Sequence, residues 1–170
     1  TFGARFGLTG AVISAVDLIK GIGVYAGLDI INVPGATGYL DTNFDGKAQA
    51  AIDALKTRDF VFVHVEAPDE ASHSGKLADK IKAIELFDEK VVGAVLQGVK
   101  QFGDYRILCA PDHPTPIMLM THTSDPVPFV IYAGEEKEKA GVAGYDEAAA
   151  AGTGLEVEPG YKLMAMLLNR

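Results

Sequence analysis

Four histidines and the carboxylates around them carry the chemistry open to this sequence. His64, His73, His113 and His122 are the four imidazoles in 170 residues. Asp69 and His73 stand four apart, which puts both side chains on one face of a helical turn. Asp112 and His113 are adjacent, between Pro111 and Pro114. Neighbours on a regular strand point to opposite faces, so this pair can converge only on irregular backbone, which flanking prolines supply. His122 follows nine residues after His113, within THTSDPVP. Carboxylates and neutral imidazoles are ligands for divalent cations. Taken singly, each residue reads as a polar loop residue facing water. Three of the four His in or just beyond two loops, each near a carboxylate or a proline, read together as a metal site. His64 differs, because it lies inside the apolar run DFVFVHV and reads as a hydrogen-bonded core histidine. Orienting a ligand from behind is its minor alternative. Glu66 and Glu70 could accept protons or orient ligands. Cys109 is most simply a small strand residue.

The elements that must position these groups alternate along the chain. Short apolar, β-branched runs predict strands at 11–16, 29–33, 59–65, 105–110 and 127–133. Apolar residues three or four apart predict helices at 17–27, 45–57, 76–101 and about 160–170. The long helix carries Leu77, Ile81, Ile84, Phe87, Val91, Val95 and Val99 as its stripe. Residues 66–75 and 111–116 read as loops, and 134–154 as a Glu/Lys and Ala/Gly surface segment. Alternation with nearly continuous apolar strands implies an α/β fold, a mostly parallel sheet with helices on both faces. In such sheets functional loops leave the carboxyl ends of the strands, which selects the loops after Val65 and Ala110. Gly21, Gly23 and Gly27, with Asp41 beyond them, resemble a dinucleotide fingerprint. That motif needs its glycines at the strand-to-helix turn, whereas Asp17 to Lys20 intervene here, so the glycines read as helix-packing positions.

Composition narrows the function classes. Fifteen Lys and Arg against 23 Asp and Glu leave 15 − 23 = −8, an acidic balance that argues against nucleic acid or an anionic membrane as partner. With 48% hydrophobic residues the chain can bury a core, and 1–170 reads as a single domain. No apolar run approaches the roughly 18 residues that span a bilayer. The single Cys109 excludes an internal disulfide and fits a reducing, cytoplasmic setting. The sequence opens Thr1-Phe2-Gly3 without a signal-peptide pattern or an initiator Met, and a piece of a longer protein is the expectation.

The runs FVFVHVEAPDEASHSG, APDHPTP and THTSDPVPF resemble the cofactor-independent phosphoglycerate mutases, archaeal-type branch, within the alkaline phosphatase superfamily. The opening AVISAVDLIKGIGVYAGLDIINVPGATGYLDTN is similar to the same branch, so the likeness covers about residues 7 to 133. It implies a partial alkaline-phosphatase-like metalloenzyme domain. It also implies two divalent metals, manganese first, with magnesium, zinc or cobalt compatible with the donor set. By motif, Asp69, His73 and His122 match the ligands of one metal, and Asp112 and His113 those of the other. The family's nucleophilic Ser, a further Asp ligand and an arginine-rich substrate-binding insertion have no counterpart here. The implied partners are therefore a small phosphorylated acid and the remainder of the chain. Lys20 is a weak candidate for a phosphate or carboxylate contact, a solvated helix Lys being the plainer reading. Thr9 stands where relatives often carry a basic residue. The implied reaction moves a phosphoryl group between 3- and 2-phosphoglycerate through a phosphoserine. Phosphatase-type hydrolysis, homoserine kinase-like transfer and a non-catalytic remnant are the alternatives. The isolated chain is expected to be inactive.

Overall fold

The computed structural model describes residues 1–134 and 141–169; residues 135–140 of the predicted surface segment and residue 170 of the predicted last helix lie outside them. The chain begins with a short helix that the sequence reading omitted, α1 (Phe2–Phe6). Thr1 caps it by accepting the Ala4 N–H, and the Phe2 ring stacks on Phe60 with centroids 4.9 Å apart. Next come β1 (Gly10–Ile13), α2 (Asp17–Ala26), β2 (Asp29–Ile31), α3 (Phe44–Ala54) and β3 (Phe60–Val63). These strands form a parallel sheet in the order β2-β1-β3, with Val12 opposite both Ile30 and Phe62. The central strand β1 is buried at every position, which explains its uninterrupted apolar sequence. From β1 the chain steps outward to β2 through α2. It then returns past β1 to β3 through α3. Right-handed crossovers in opposite directions place the two helices on opposite faces of the sheet.

Gly23 shows why α2 carries glycines. A Cβ there would lie 2.8 Å from Ile30 Cδ1 and 2.9 Å from Val12 Cγ2, so the helix reaches the sheet only because no side chain intervenes. Gly27 then ends α2 in the left-handed conformation at φ 75°. These roles account for Gly23 and Gly27 without a nucleotide, while Gly21 has open space around it.

Beyond β3 the structure departs from the sequence reading in three places. The predicted loop at 66–75 contains a helix, α4 (Ala67–His73), packed on α5 (Leu77–Phe87). The predicted helix at 76–101 is one helical stretch of changing pitch. It runs from α5 through a π-helical turn (Asp88–Val92) to α6 (Gly93–Gly98) and a 3₁₀ turn (Val99–Phe102). Its buried positions are Ala83, Val91 and Val99, while Leu77, Ile81 and Ile84 are exposed. A π turn inserts a residue into the helical period, so no single 3.6-residue stripe describes both halves. Lastly, β4 (Ile107–Cys109) and β5 (Val130–Tyr132) pair antiparallel with each other, as a separate two-stranded sheet. Two short helices follow, α7 (Glu147–Gly152) and α8 (Leu163–Leu167). The core cluster of Phe44, Ala67, Ala83 and Val91 joins α3, the start of α4, α5 and the π turn. The helix bearing Asp69 is thereby anchored in the hydrophobic interior. No helix among the described residues is long and apolar enough to cross a membrane.

Gly23→Val is expected to lower stability by about 1–3 kcal/mol through overpacking against the stiff Val12 side chain. The urea midpoint measures it, and an unchanged midpoint would contradict the close helix–sheet approach.

Candidate metal centre

The site lies at the carboxyl ends of β1 and β3. The chain leaves β1 toward β2 on one side and enters β3 on the other, so the strand order reverses here, which is where open parallel sheets carry their functional groups. Ser14, 2% exposed, and His64 meet at these strand ends, with Ser14 Oγ 3.1 Å from His64 Nδ1. His64 is thus the hydrogen-bonded interior histidine its apolar run predicted. Burial pushes its pKa down, while the Asp112 carboxylate opposes the shift.

Lys47 of α3 has no exposed surface, and its Nζ donates to the His64 carbonyl at 3.2 Å. Burial pushes the Lys47 pKa down, and the nearby Glu66 carboxylate partly offsets this. Glu66 is itself pushed up, first by burial and then by Glu70 and Asp69. A lysine in an amphipathic helix normally reads as solvated, and nothing in its sequence context singled Lys47 out.

From β3 the chain turns at Glu66 into α4, where Pro68 sits in the first turn and lacks only an N–H that would have no helical partner. The buried Ser72 hydroxyl donates to the Pro68 carbonyl at 2.7 Å. One helical turn brings His73 Nε2 to 3.2 Å from Asp69 Oδ2. His122 arrives from the loop after β4, its Nε2 3.0 Å from His73 Nε2 and 3.4 Å from Asp69 Oδ1. One donor atom from each of the three residues lies within 4.8 Å of the others. Two nitrogens and a carboxylate oxygen this close are spaced as ligands sharing one divalent cation must be. The side chains are partly exposed, at 24%, 34% and 48% for Asp69, His73 and His122, so an ion can enter from solvent.

His73 is held by its other nitrogen, Nδ1, 2.9 Å from the Met120 carbonyl. A carbonyl only accepts, so Nδ1 carries the proton and Nε2 keeps a lone pair for a metal. The Met120 carbonyl, with the Asp69 and Glu70 carboxylates, raises the His73 pKa against the effect of its desolvation. Met120 adopts a left-handed conformation at φ 52°, sparsely populated by residues other than glycine. Its own N–H donates to the Pro116 carbonyl at 2.9 Å, which closes the turn.

Asp112 and His113 lie on irregular backbone after β4. Asp112 Oδ2 is 3.6 Å from His113 Nε2, and the His113 ring stacks on His122 with centroids 3.6 Å apart. The predicted three-residue and two-residue ligand sets are therefore neighbours. Lys20 Nζ lies 3.4 Å from Asp17 Oδ1 on its own helix. Thr9 sits at the amino end of β1, where its N–H and hydroxyl both donate to Asp59 at 2.8 Å. That is the opposite end of the strand from Ser14, away from the candidate ligands. Thr115, buried at 5% exposure, donates its hydroxyl proton to Asp69 Oδ1, a contact the sequence reading missed. Its place between Pro114 and Pro116 was the available signal.

Two measurements test this geometry. Met120→Val, disfavoured at positive φ, is expected to weaken manganese binding by about 10-fold, whereas Met120→Gly retains it. Equal affinities in a titration would dismiss the carbonyl as an orienting group. Lys47 loses its proton at lower pH in the folded chain than in the unfolded one. Between those pKa values the unfolded chain binds more protons, so stability rises with pH up to the ordinary lysine value of about 10. Urea midpoints measured from neutral pH upward should show this slope, and Lys47→Met should flatten it.

Comparison with known proteins agrees with this donor chemistry. The chain is 62% identical over 170 residues to a Geobacter sulfurreducens protein named probable 2,3-bisphosphoglycerate-independent phosphoglycerate mutase, covering 100% of this chain and 43% of that one. It is 54% identical over 170 residues to a Methanosarcina acetivorans protein named 2,3-bisphosphoglycerate-independent phosphoglycerate mutase, covering 99% of this chain and 43% of its relative. The chain thus spans less than half the length of these curated relatives. Among solved structures, the PH0037 protein of Pyrococcus horikoshii superposes with a TM-score of 0.90 at 31% identity, over 99% of this chain and 50% of that one. Residues 1–169 match the family model of the metalloenzyme superfamily, and the chain belongs to that superfamily.

Proposed function

We propose that this chain serves as the metal-binding portion of a 2,3-bisphosphoglycerate-independent phosphoglycerate mutase. The enzyme would interconvert 3- and 2-phosphoglycerate through a phosphoserine. The observation that carries the proposal is the convergence of Asp69, His73 and His122 in a chain 62% identical over its whole length to a protein of that name. In this reading Asp69, His73 and His122 hold one divalent cation, and Asp112 and His113 contribute to a second. Manganese is the first choice, and magnesium, zinc or cobalt fit the same oxygen and nitrogen donors. Such cations, when bound, polarise phosphoryl oxygens and lower the pKa of an attacking hydroxyl. The chain's own residues supply orientation. Met120 fixes His73, the hydrophobic anchorage of α4 fixes Asp69, and Lys20 is a candidate contact for a substrate phosphate or carboxylate. Residues 1–170 act as one domain together with the remainder of the protein, which contributes the nucleophilic Ser. The setting is cytoplasmic. Bound cations offset the −8 charge of this chain, which would otherwise repel a polyanionic substrate.

The test uses manganese and 3-phosphoglycerate. The full-length protein should form 2-phosphoglycerate, Asp69→Asn should reduce turnover by at least about 100-fold, and the 170-residue chain alone should be inactive. Turnover by the isolated chain would refute its incompleteness. Consumption of another phosphoester with 3-phosphoglycerate ignored would refute the substrate, and absence of manganese binding would point to a non-catalytic remnant.

A further inference from the structure

Thr115 joins the two predicted ligand groups through one hydroxyl. Its Oγ1 donates to Asp69 Oδ1 on α4 and lies 3.3 Å from Nδ1 of His113 in its own loop. The residue is 5% exposed, so water has little access to replace either contact. Its carbonyl accepts from Lys80 Nζ of α5 at 2.8 Å, which ties the backbone down as well. The hydroxyl has one proton to give. A carboxylate accepts and does not donate, so that proton points at Asp69. The lone pairs of Oγ1 are left to face His113, and the contact is a hydrogen bond only if His113 Nδ1 carries a proton. In a neutral imidazole a proton on Nδ1 leaves Nε2 with a free lone pair. His113 Nε2 is the atom on the Asp112 side of the ring, 3.6 Å from Asp112 Oδ2.

We propose that Thr115 is a positioning residue that runs a directional hydrogen-bond chain from His113 Nδ1–H through its own hydroxyl to Asp69, setting His113 in the Nε2-ligating tautomer and coupling the two metal-binding groups. The inference rests on the reading that Asp69 and His113 both ligate divalent cations. Withdrawal of charge from either end of the chain alters the hydrogen bonding available to the other. The coupling is therefore reciprocal, and cation binding at one group changes affinity at the other. Valine has nearly the shape of threonine without the hydroxyl, and serine keeps the hydroxyl without the methyl group, so the two substitutions separate chain from packing.

The experiment compares the intact wild-type protein with Thr115→Val and Thr115→Ser. Nitrogen-15 NMR of the imidazoles without metal reads the His113 tautomer, and manganese titration followed by electron paramagnetic resonance reads site number and affinity. The wild-type protein and Thr115→Ser should show the Nδ1–H form, and Thr115→Val should shift His113 toward Nε2–H. Thr115→Val should also weaken the Asp112–His113 site by about 10–100-fold, the usual effect of removing a group that orients a metal ligand. An Nε2–H tautomer of His113 in the wild-type protein overturns the proposal, whether or not Thr115→Val folds. Two manganese sites unchanged in affinity by Thr115→Val overturn it equally. Absence of manganese binding in a wild-type protein that shows the Nδ1–H form overturns the metal reading and leaves the hydrogen-bond chain standing.

Discussion

Two imidazole nitrogens and a carboxylate oxygen within 4.8 Å of one another are the constraint on which the rest of this structure turns. Two facing imidazole nitrogens 3.0 Å apart satisfy each other only when a proton or a cation lies between them. Side chains left to themselves would spread into water, which surrounds them on the exposed side. What holds them is rigid scaffold. Asp69 and His73 share a helical turn whose first residue, Ala67, is buried in the main core. His122 lies two residues beyond Met120, whose carbonyl grips His73. Such preorganisation spends conformational entropy during folding, so less remains to be lost when a ligand binds.

The surroundings repeat this arrangement at a second level. Ser14 against His64, Lys47 against the His64 carbonyl, and Thr115 between Asp69 and His113 place polar groups in contact behind the exposed donors. Ser14, Lys47 and Thr115 thus each have a named partner, which low local polarity demands, whereas the buried Thr123 hydroxyl beside His122 has none among the described residues. The buried Lys47 also puts positive charge beneath a cluster that otherwise gathers Glu66, Asp69, Glu70 and Asp112. It thereby offsets part of the repulsion among those carboxylates.

Topology places all of this at one end of the sheet. Strand order β2-β1-β3 reverses the direction of chain travel at β1, and the turns after β1 and β3 leave the sheet at that reversal. The amino end of the same strands is closed by different means, with Thr9 bonded to Asp59 and Phe2 stacked on Phe60. Function and stability are thus separated along the strand axis, with Gly23 allowing α2 to lie close against the middle of the sheet.

Residue type and short-range spacing made much of this legible from the sequence. The apolar run of β1 announced a buried strand, and Asp69 with His73 announced a shared helical face, because period and burial are local properties. Prolines around Asp112 and His113 announced irregular backbone for the same reason. Other features depend on what packs against a segment. Leu77, Ile81 and Ile84 are exposed, and a π turn at Asp88–Val92 interrupts the period that the apolar pattern implies. The pairing of β4 with β5 and the burial of Lys47 are likewise set by neighbours distant in sequence. Thr115 meets Asp69 across 46 positions, and His122 meets His73 across 49. Composition and periodicity describe what each segment prefers; a contact between separated side chains exists only once the whole chain has folded.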